Sequence, residues 1–252
     1  MVTGVYHPEV NGAANQCRQL VNALKEKVSF TVLTTTRDPN LPPRCLVEGV
    51  DVFRVLLKKS VNNYCGAIWK FTAFFLSRRK DFQIVHLHGF SLKSVLVVQL
   101  SKIFHKKIII KMTSVGHDDP VSMRQRGFLR NHFFSLADAY VGITPQFKEL
   151  YRVSGLPENR LKQIPNGVDT NWFRPVTAEQ KAKLRVELGL PEKMKLIIFV
   201  GHFSREKCPD ILLNAWLKTV SKNYPHTGLI FIGSTNTNNY EVDAELVNDI
   251  HK

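Results

Sequence analysis

Short runs of β-branched and aromatic residues alternate with helical patterns along most of this chain. The helical pattern is clearest at Cys17, Leu20, Val21 and Leu24, which recur at the spacing of one helix face. Short apolar runs bounded by turn residues are typical of strands that are buried on both faces of a parallel sheet. The alternation therefore predicts an α/β fold with doubly wound parallel sheets. The expected strands are residues 28–34, 50–55, 84–87, 108–112, 139–143, 195–200 and 228–233.

The segment IPNGVDTNWFRP, at residues 164–175, divides the chain into two predicted domains. A strand-like run ends there in turn residues, and a helical stretch begins at about residue 177. We therefore expect two Rossmann-like domains, residues 1–170 and residues 171–252. The second domain shows two clear strands, a polar loop at residues 234–241 and one more helix. A strand has about five residues, and only residues 1–3 precede the first loop, so we expect both domains to be incomplete in this sequence.

The positive charge of the chain is concentrated in its first part. The net charge is +14, with 24 Lys and Arg against 12 Asp and Glu up to residue 170, and 11 against 9 after it. Such asymmetry is typical of a surface that meets phospholipid, a phosphorylated acceptor or nucleic acid, and equally of scattered solvated charge. No aromatic and basic motif accompanies the charge, so we do not expect a nucleic-acid partner.

The four cysteines, Cys17, Cys45, Cys65 and Cys208, lie far apart, without a CxxC pair or a histidine at metal-ligand spacing. This pattern favours free thiols in a reducing, cytosolic setting, and it predicts no disulfide scaffold and no zinc site. No run approaches the roughly 18 apolar residues that a membrane-spanning helix needs. We therefore expect no segment that crosses a bilayer.

Two loops carry residues suited to binding phosphate. In the first, a strand end leads through residues 4–15 into a helix, so the backbone amides around Gly12 and Ala13 lie at a helix N-terminus, a geometry that binds anions. A plain turn between strand and helix is the alternative. The second loop, in VGHFSREKCPDILLNAW at residues 200–216, places Arg205 and Lys207 at the carboxyl edge of a predicted strand. These cations would hold a diphosphate and stabilise it as a leaving group, or else they are solvated loop charges.

Four strings give these loops a context, because they occur in a fixed order along nearly the whole chain. They are GVYHPEVNGAANQ, ITPQFKELYRVSGLPENRLKQ, IPNGVDTNWFRP and FVGHFSREKCPDILLNAW. Together they resemble glycosyltransferase family 4. The resemblance implies the GT-B fold, in which an N-terminal acceptor domain and a C-terminal nucleotide-sugar domain face each other. It also implies sugar transfer from a nucleotide diphosphate sugar with retention of the anomeric configuration, usually without a metal or another cofactor.

The resemblance assigns roles to residues that match the motifs of the family. Lys207 matches the lysine that contacts the donor diphosphate. His202 holds the position of a family arginine, whose role would fall to Arg205 or be lost. The substrate-binding residues that it implies are Gly12, Ala13, Asn166, Gly167, Thr113 and His117. Ala13 replaces a second glycine, and Thr113 or Ser114 stands where a histidine is often found, with His117 nearby. Two glutamates of the family fall beyond residue 252, so we expect an incomplete donor site and little activity from this chain alone.

Two further features leave alternatives open. His86 and His88 lie two apart on a predicted strand and face the same way; a strand-end hydrogen-bonding role is favoured over a metal pair. The segment at residues 64–80 places several large apolar side chains before three cations. A core helix with a charged C-terminal turn is slightly favoured, and a helix lying on an anionic membrane, together with Lys58, Lys59, Lys106 and Lys107, is the alternative.

Taken together, these patterns predict a retaining glycosyltransferase with a nucleotide-sugar donor and a saccharide or lipid-linked acceptor. The expected location is cytoplasmic, with peripheral contact at the inner face of an anionic membrane. Two alternatives stay open. One is a nucleotide-sugar epimerase or hydrolase of GT-B fold, because a fold alone does not fix the reaction. The other is a non-catalytic, truncated binding module that uses the basic surface of the first domain.

Overall fold

The computed structural model describes residues 1–57, 61–235 and 242–251. Lys58, Lys59 and most of the polar loop expected at residues 234–241 lie outside the described residues. The chain divides into two compact units, Met1–Val168 and Asp169–Lys252, called unit 1 and unit 2 below. Within the described ranges, no helix combines the length and the apolar character that crossing a bilayer requires.

Unit 1 alternates strands and helices along the chain. Its strands are β1 (Thr31–Thr36), β2 (Arg44–Val47), β3 (Val50–Leu56), β4 (Ile84–His88), β5 (Lys107–Met112), β6 (Ala139–Gly142) and β7 (Leu161–Gln163). Its α-helices are α1 (Gly12–Leu24), α2 (Val61–Arg78), α3 (Leu92–Ile103), α4 (Pro120–Gln125), α5 (Phe128–Ser135) and α6 (Pro145–Arg152). A short 3-10 helix, Glu158–Arg160, precedes β7.

The strands of unit 1 pair in the orders β1-β3-β2 and β4-β5-β6-β7. Val2 lies between the two groups and forms parallel bridges to Leu33 of β1 and Leu87 of β4. The Val2 amide donates to His86 O at 2.8 Å, and the His88 amide donates to Val2 O at 2.8 Å. All pairs are parallel except β2 with β3, which is antiparallel. The prediction of an α/β fold with parallel sheets is confirmed.

The main core of unit 1 lies where α2, α3 and α5 contribute aromatic and aliphatic side chains to one large cluster with the strands. Phe75 of α2 packs edge-on against Phe82, with ring centroids 5.5 Å apart, and Phe90 packs edge-on against Phe134 at 5.2 Å. Phe75, Phe90 and Phe134 are all buried in this cluster. Burial of a phenylalanine stabilises a fold by about 1.5–3 kcal/mol. A second, smaller cluster includes Cys17 and Val21 of α1.

Unit 2 is smaller and less buried. Its elements are α7 (Ala178–Glu187), β8 (Lys195–Val200), α8 (Pro209–Ala215), a π-helical turn (Trp216–Val220), α9 (Ser221–Asn223), β9 (Thr227–Ile232) and α10 (Ala244–His251). β8 and β9 pair in parallel as a two-stranded sheet. The expectation that these two strands are buried is wrong, because no residue of β8 or β9 is fully buried. Ile198 is 52% exposed and Val200 is 75% exposed.

The predicted strands occur within three residues of their expected ends, and two strands had not been predicted. The first strand begins at Thr31 rather than at residue 28, because the amides of Lys27 and Val28 still donate to Leu24 O and finish the helix. β2 is an exposed antiparallel edge strand and β7 is only three residues long. Neither carries the apolar run by which buried strands are predicted.

Candidate functional site

A cavity of about 300 Å³ opens in unit 1 at the carboxyl ends of β4 and β5. Thr113 and His117, two of the predicted substrate-binding residues, both line it. Lys93, Asp118 and Arg126, which the sequence had not singled out as binding residues, line it as well. Ligands of open α/β sheets bind at this edge of the strands, so the cavity is the candidate site of unit 1.

The wall of the cavity is a loop that follows β5 and is folded around the carboxylate of Asp118. Asp118 Oδ2 accepts from the Thr113 amide at 2.8 Å and from Thr113 Oγ1 at 2.7 Å. Its Oδ1 accepts from the Ser114 amide at 2.7 Å. Three hydrogen-bond donors on one buried carboxylate hold the loop in place, because a desolvated carboxylate that lost such a bond would cost free energy. Thr113 is thereby held at the cavity.

Asp118 also explains why a glycine follows β4. Gly89 has φ +81°, and a Cβ at this position would lie 3.3 Å from Asp118 Oδ2 and 3.3 Å from Thr113 Oγ1. A larger residue would therefore be strained and would press on the same hydrogen bonds. Burial raises the pKa of Asp118, although the bonds from Ser114 and Thr113 act in the opposite direction.

Asp119 holds the next turn of the chain. Its carboxylate accepts from the Gly116 amide at 2.7 Å, from the Ser122 amide at 2.9 Å and from Ser122 Oγ at 2.6 Å. Burial raises its pKa, but these hydrogen bonds outweigh burial, so the pKa of Asp119 is lowered. As the N-cap of α4, Asp119 gives this short helix its start, with Pro120 at the first helical position. The cavity wall is thus set by two neighbouring carboxylates.

Lys93 brings a cation into the cavity without a carboxylate partner among the described residues. It lies in the first turn of α3, and its Nζ donates to Thr35 Oγ1 at 2.9 Å, Thr3 O at 3.2 Å and Gly4 O at 3.3 Å. Burial lowers the pKa of Lys93 to about 8. A cation near a helix N-terminus is also opposed by the helix dipole. An anion in the cavity would therefore stabilise the charged form of Lys93.

His117 and Arg126 stand together at the same cavity. Arg126 Nη2 lies 3.1 Å from His117 Nδ1, and it donates to Gly116 O at 3.4 Å. With Lys93, they bring three basic side chains to the cavity, whose lining carboxylate, Asp118, is occupied by Thr113 and Ser114. The arrangement suits a ligand that carries a negative charge.

The predicted Gly12 and Ala13 are the first two residues of α1, directly after a loop that the neighbouring strands hold in place. Arg54 of β3 is buried, and its Nη2 donates to His7 O at 2.5 Å, which fixes the middle of the loop. The side chain of Asn11 caps the helix by accepting from the Ala14 amide at 2.7 Å. Gly12 is exposed, and a Cβ built on it would meet nothing within 4 Å. The start of α1 is therefore held in place and open, although neither Gly12 nor Ala13 lines the cavity.

In unit 2, Arg205 and Lys207 lie in the loop between β8 and α8. Both side chains are exposed, and both contact carboxylates. Arg205 Nε donates to Asp243 Oδ2 at 3.1 Å, and Lys207 Nζ lies 3.2 Å from Glu206 Oε1. Each cation would exchange such a contact for a phosphate if it bound one, a change that exposed ion pairs permit at little cost.

The carboxyl ends of β8 and β9 approach each other closely beside this loop. The Gly201 amide donates to Ile232 O at 3.0 Å. A Cβ built on Gly233 would lie 1.8 Å from Gly201 O, so only glycine fits there. Phe203 is buried against Phe199 and Phe231, with ring centroids 6.2 Å and 5.9 Å away. Contacts among these three aromatic rings therefore hold the loop against the strands.

Asn166 and Gly167 lie near the end of unit 1, where the chain forms neither helix nor strand. Both residues are exposed. The Ile164 amide donates to Gly142 O at 3.0 Å, which ties the start of this segment to the end of β6. The two residues therefore follow the carboxyl edge of the parallel sheet, but the cavity is not lined by them.

The expectation of side-chain hydrogen bonds is wrong for His88 and for Nε2 of His86. Their rings lie 4.7 Å apart on β4, and His86 Nε2 and both ring nitrogens of His88 have no hydrogen-bond partner among the described residues. Burial lowers the pKa of His86 to about 3 and that of His88 to about 2, and the charge of nearby Lys111 acts in the same direction. Across the described ranges, no group of three or more His, Cys, Asp or Glu is placed to hold a metal.

Sequence patterns missed Lys93, Asp118 and Arg126 as part of one site, because their proximity comes from contacts distant in the chain. One signal was available. In the helical string LKSVLVVQL, Lys93 is the single charged residue. A lone cation in an otherwise apolar helix indicates either snorkelling to solvent or a special environment, and the structure shows a special environment.

Comparison with known proteins gives the chain a family context. The sequence model of glycosyltransferase family 4 matches residues 10–172. A protein named D-inositol 3-phosphate glycosyltransferase 1, from Catenulispora acidiphila, is 28% identical over 201 residues, which are 75% of this chain and 47% of that protein. This chain therefore spans about half the length of that relative.

Solved structures share the fold. Sucrose-phosphate synthase from Thermosynechococcus elongatus matches with a TM-score of 0.75 and 20% identity over 99% of this chain and 66% of its own. HepE of Anabaena, solved with UDP-glucose, matches with a TM-score of 0.66 and 15% identity over 99% and 64%. UDP-GlcNAc 2-epimerase from Neisseria meningitidis, bound to UDP-GlcNAc, matches with a TM-score of 0.61 and 13% identity over 98% and 68%. The predicted GT-B type of fold is confirmed.

Proposed function

The chain belongs to glycosyltransferase family 4, and from this we propose that it serves sugar transfer from a nucleotide diphosphate sugar to an acceptor hydroxyl, with retention of the anomeric configuration. The observation that carries the proposal is the match of the family over residues 10–172, which includes the residues between 87 and 126 that line the unit 1 cavity. In this proposal, unit 1 binds the acceptor and unit 2 contributes to binding the donor.

For the donor, we propose a nucleoside diphosphate sugar held in unit 2 by Lys207 and Arg205. The likeness to HepE, which was solved with UDP-glucose, supports this ligand class. A diphosphate carries more charge than the single carboxylates that Lys207 and Arg205 contact now, so it would compete well for both cations. The developing charge on the leaving diphosphate would be stabilised in the same way. Separately, we propose that the backbone amides at Gly12 and Ala13 of unit 1 bind a phosphate of a substrate.

For the acceptor, we propose a saccharide or lipid-linked hydroxyl compound that carries an anionic group. The three basic side chains of the cavity, Lys93, His117 and Arg126, support this choice, and the name of the Catenulispora relative includes a phosphorylated acceptor. Thr113 Oγ1 donates its one proton to Asp118, so its lone pairs can accept a hydrogen bond from a substrate hydroxyl. We also propose that Asn166 and Gly167 bind substrate, in a turn near the carboxyl edge of the parallel sheet.

The proposed location is cytoplasmic, with unit 1 in peripheral contact with an anionic membrane. Support comes from the excess of Lys and Arg in the first part of the chain and from free thiols at all four cysteines. No further cofactor belongs to the proposal.

A second candidate function is epimerisation or hydrolysis of a nucleotide sugar, and the likeness to a UDP-GlcNAc 2-epimerase favours it. The experiment that separates the candidates is incubation of the protein with radiolabelled UDP-glucose and UDP-GlcNAc, with and without inositol phosphates and phospholipid acceptors. Transfer predicts a labelled acceptor, in the low yield expected of this chain alone, whose anomeric configuration, measured by NMR, equals that of the donor. Free sugar in all reactions indicates a hydrolase, and an altered nucleotide sugar indicates an epimerase.

A matched pair of variants then tests the acceptor site. Lys93→Met removes the half-buried cation of the cavity, whereas Lys102→Met removes an exposed cation at the other end of α3. We expect about a tenfold or larger rise in acceptor KM for Lys93→Met alone, since a charge-assisted hydrogen bond contributes about 1.5–3 kcal/mol. Equal acceptor KM in both variants would remove Lys93 from the site. An inverted anomer in the product would overturn retention while leaving transfer in place.

A further inference from the structure

Unit 2 contains a cavity of its own, of about 510 Å³, which lies between α7 and the start of β8. Four cations line it, together with the carboxylate of Glu192. Lys181 and Arg185 come from α7, Lys193 precedes β8, and Lys195 is the first residue of β8. The proposed transfer reaction uses none of these side chains.

Helix α7 turns one face toward this cavity. The α7 residues that line it follow the i, i+3, i+4, i+7 spacing of a single helix face: Ala178, Lys181, Ala182 and Arg185. Because the two alanines have short side chains, they leave space between the cations. Lys183 lies on the opposite face, where its Nζ is 3.9 Å from Glu187 Oε1.

The other wall of the cavity is a loop that folds back along α7 around the guanidinium of Arg185. Arg185 Nη1 donates to three carbonyl oxygens of this loop, those of Pro191 at 2.8 Å, Glu192 at 2.7 Å and Met194 at 2.9 Å. The Lys195 amide then donates to His226 O at 2.9 Å, which joins the end of the loop to the sheet. The loop is therefore held at both walls, with Lys193 and Lys195 at the cavity.

The lysines of the cavity have no acidic partners nearby. Among the described residues, no carboxylate lies within 4 Å of the ammonium groups of Lys181, Lys193 or Lys195. Four cations and the one lining carboxylate of Glu192 leave a net charge of +3 at the cavity. Charges of one sign that line a concave surface raise the local concentration of the opposite charge. The cavity therefore attracts anions.

We propose that this cavity, called the unit 2 basic cavity, binds a small ligand that carries two linked phosphate groups. One phosphate group carries a charge of about −1.5 to −2, so two linked phosphates match a net charge of +3 better than one does. Lysine and arginine side chains both form charge-assisted hydrogen bonds to phosphate oxygens. A nucleic acid fits poorly, because no aromatic side chain lines the cavity on which a base could stack.

The unit 2 basic cavity and the proposed donor loop lie at opposite ends of β8. Lys195 begins this strand, whereas Arg205 and Lys207 follow its carboxyl end at Val200. Five steps of about 3.3 Å make the strand about 17 Å long, so one diphosphate cannot contact both ends. A ligand in the basic cavity would therefore take no part in the transfer step. The inference rests on α7 and β8 and does not depend on the proposed transfer reaction.

The test is titration of the 252-residue chain with pyrophosphate, followed by amide NMR and calorimetry. We expect pyrophosphate to shift the amide signals of residues 178–196 and to bind more weakly as salt rises. Lys181→Gln and Lys193→Gln should each weaken this binding about tenfold, the lower end of what a charge-assisted hydrogen bond contributes. Both side chains are exposed, so each variant should keep the amide spectrum of the folded chain.

Lys183→Gln is the matched control, because it removes one cation from the opposite face of the same helix. This variant and Lys207→Ala should keep the wild-type affinity for pyrophosphate at residues 178–196. Equal weakening by Lys183→Gln would overturn the proposal, since the anion would then respond only to the overall charge of α7. So would the absence of shifts at residues 178–196, including shifts confined to residues 201–208. Tighter binding of a single-stranded oligonucleotide than of pyrophosphate would also overturn it, because the surface would then be a nucleic-acid site.

Discussion

β1 of unit 1 and β8 of unit 2 are both six residues long, and the more apolar of the two is the more exposed. β1 has the sequence TVLTTT, and five of its six residues are buried. β8 has the sequence KLIIFV, and none of its residues is fully buried. Strand formation therefore follows the local pattern in both units, whereas burial depends on what covers the strand. An apolar run predicts a strand more securely than it predicts a core.

The same contrast applies to the charged groups of the candidate site. In unit 1, Lys93 and Asp118 are desolvated and held by hydrogen bonds to neighbouring backbone and hydroxyl groups. In unit 2, Arg205 and Lys207 are exposed and contact carboxylates that water can replace. Unit 1 thus offers a site that is organised before a ligand arrives, and unit 2 offers cations that reorganise when a ligand binds.

The largest expected effect tests whether stability is concentrated in unit 1. Phe75→Ala empties a buried site in the main core, so we expect the free energy of unfolding of unit 1 to fall by about 3–5 kcal/mol. Phe203→Ala, in the small aromatic cluster of unit 2, should instead speed hydrogen exchange at the amides of β8 and β9. It should leave the free energy of unfolding of unit 1 unchanged. Urea unfolding and hydrogen exchange resolved by residue measure both.

Phe173→Ala is the control for this pair, because Phe173 is exposed and its removal should change stability by about 0.5 kcal/mol or less. If Phe75→Ala and Phe203→Ala lowered the stability of both units together, the two units would unfold as one. The contrast between them would then be wrong.

A smaller effect is expected for ligand binding by unit 2. Lys207→Ala should weaken the binding of a nucleotide diphosphate sugar about tenfold to a hundredfold, because a charge-assisted hydrogen bond contributes about 1.5–3 kcal/mol. Titration calorimetry with UDP-glucose measures the change, and Lys218→Ala serves as an exposed control cation. Unchanged affinity in Lys207→Ala would remove this residue from the donor site.

Sequence-based prediction succeeded for features set by local patterns and failed for features that depend on distant contacts. Alternating patterns predicted the elements of both units, because strand and helix signals are local. They did not predict β7, which pairs with β6 although it has no apolar run, or the meeting of Lys93 with Asp118 at one cavity. Those features arise from contacts between residues that are far apart in the chain. The hydrogen bonds expected for His88 and for Nε2 of His86 are absent for the same reason, since the partners available to a buried side chain come from distant parts of the chain.

A further effect, of about 2 kcal/mol, is a loss in the free energy of unfolding at acidic pH. The pKa of His88 is about 2 in the folded chain and about 6.5 when unfolded, so the unfolded chain takes up a proton that the folded chain rejects. Stability is therefore full above pH 6.5 and falls as the pH drops below it, by about 2 kcal/mol at pH 5. His88→Leu should reduce this slope between pH 7.5 and pH 5, measured by urea unfolding of unit 1, and the slope that remains belongs to His86, whose pKa burial lowers to about 3. A slope equal to that of the wild type would contradict the burial of a neutral ring at this position.

The smallest expected effect on stability belongs to Gly12→Ala, and it asks whether unit 1 also takes part in donor binding. Gly12 starts α1, lies outside the left-handed region and would carry a Cβ without contacts, so the free energy of unfolding should change by about 0.5 kcal/mol or less. Gly89→Ala is the contrasting variant, because its Cβ would press on Asp118 and Thr113 at positive φ. If a phosphate approaches the amides at the start of α1, the added methyl group of Gly12→Ala should weaken UDP-glucose binding severalfold while stability stays constant. Wild-type affinity in this variant would assign donor binding to the cations of unit 2 alone. The comparison of the two units would then become sharper, with a pre-organised acceptor site in unit 1 and an adaptable donor site in unit 2.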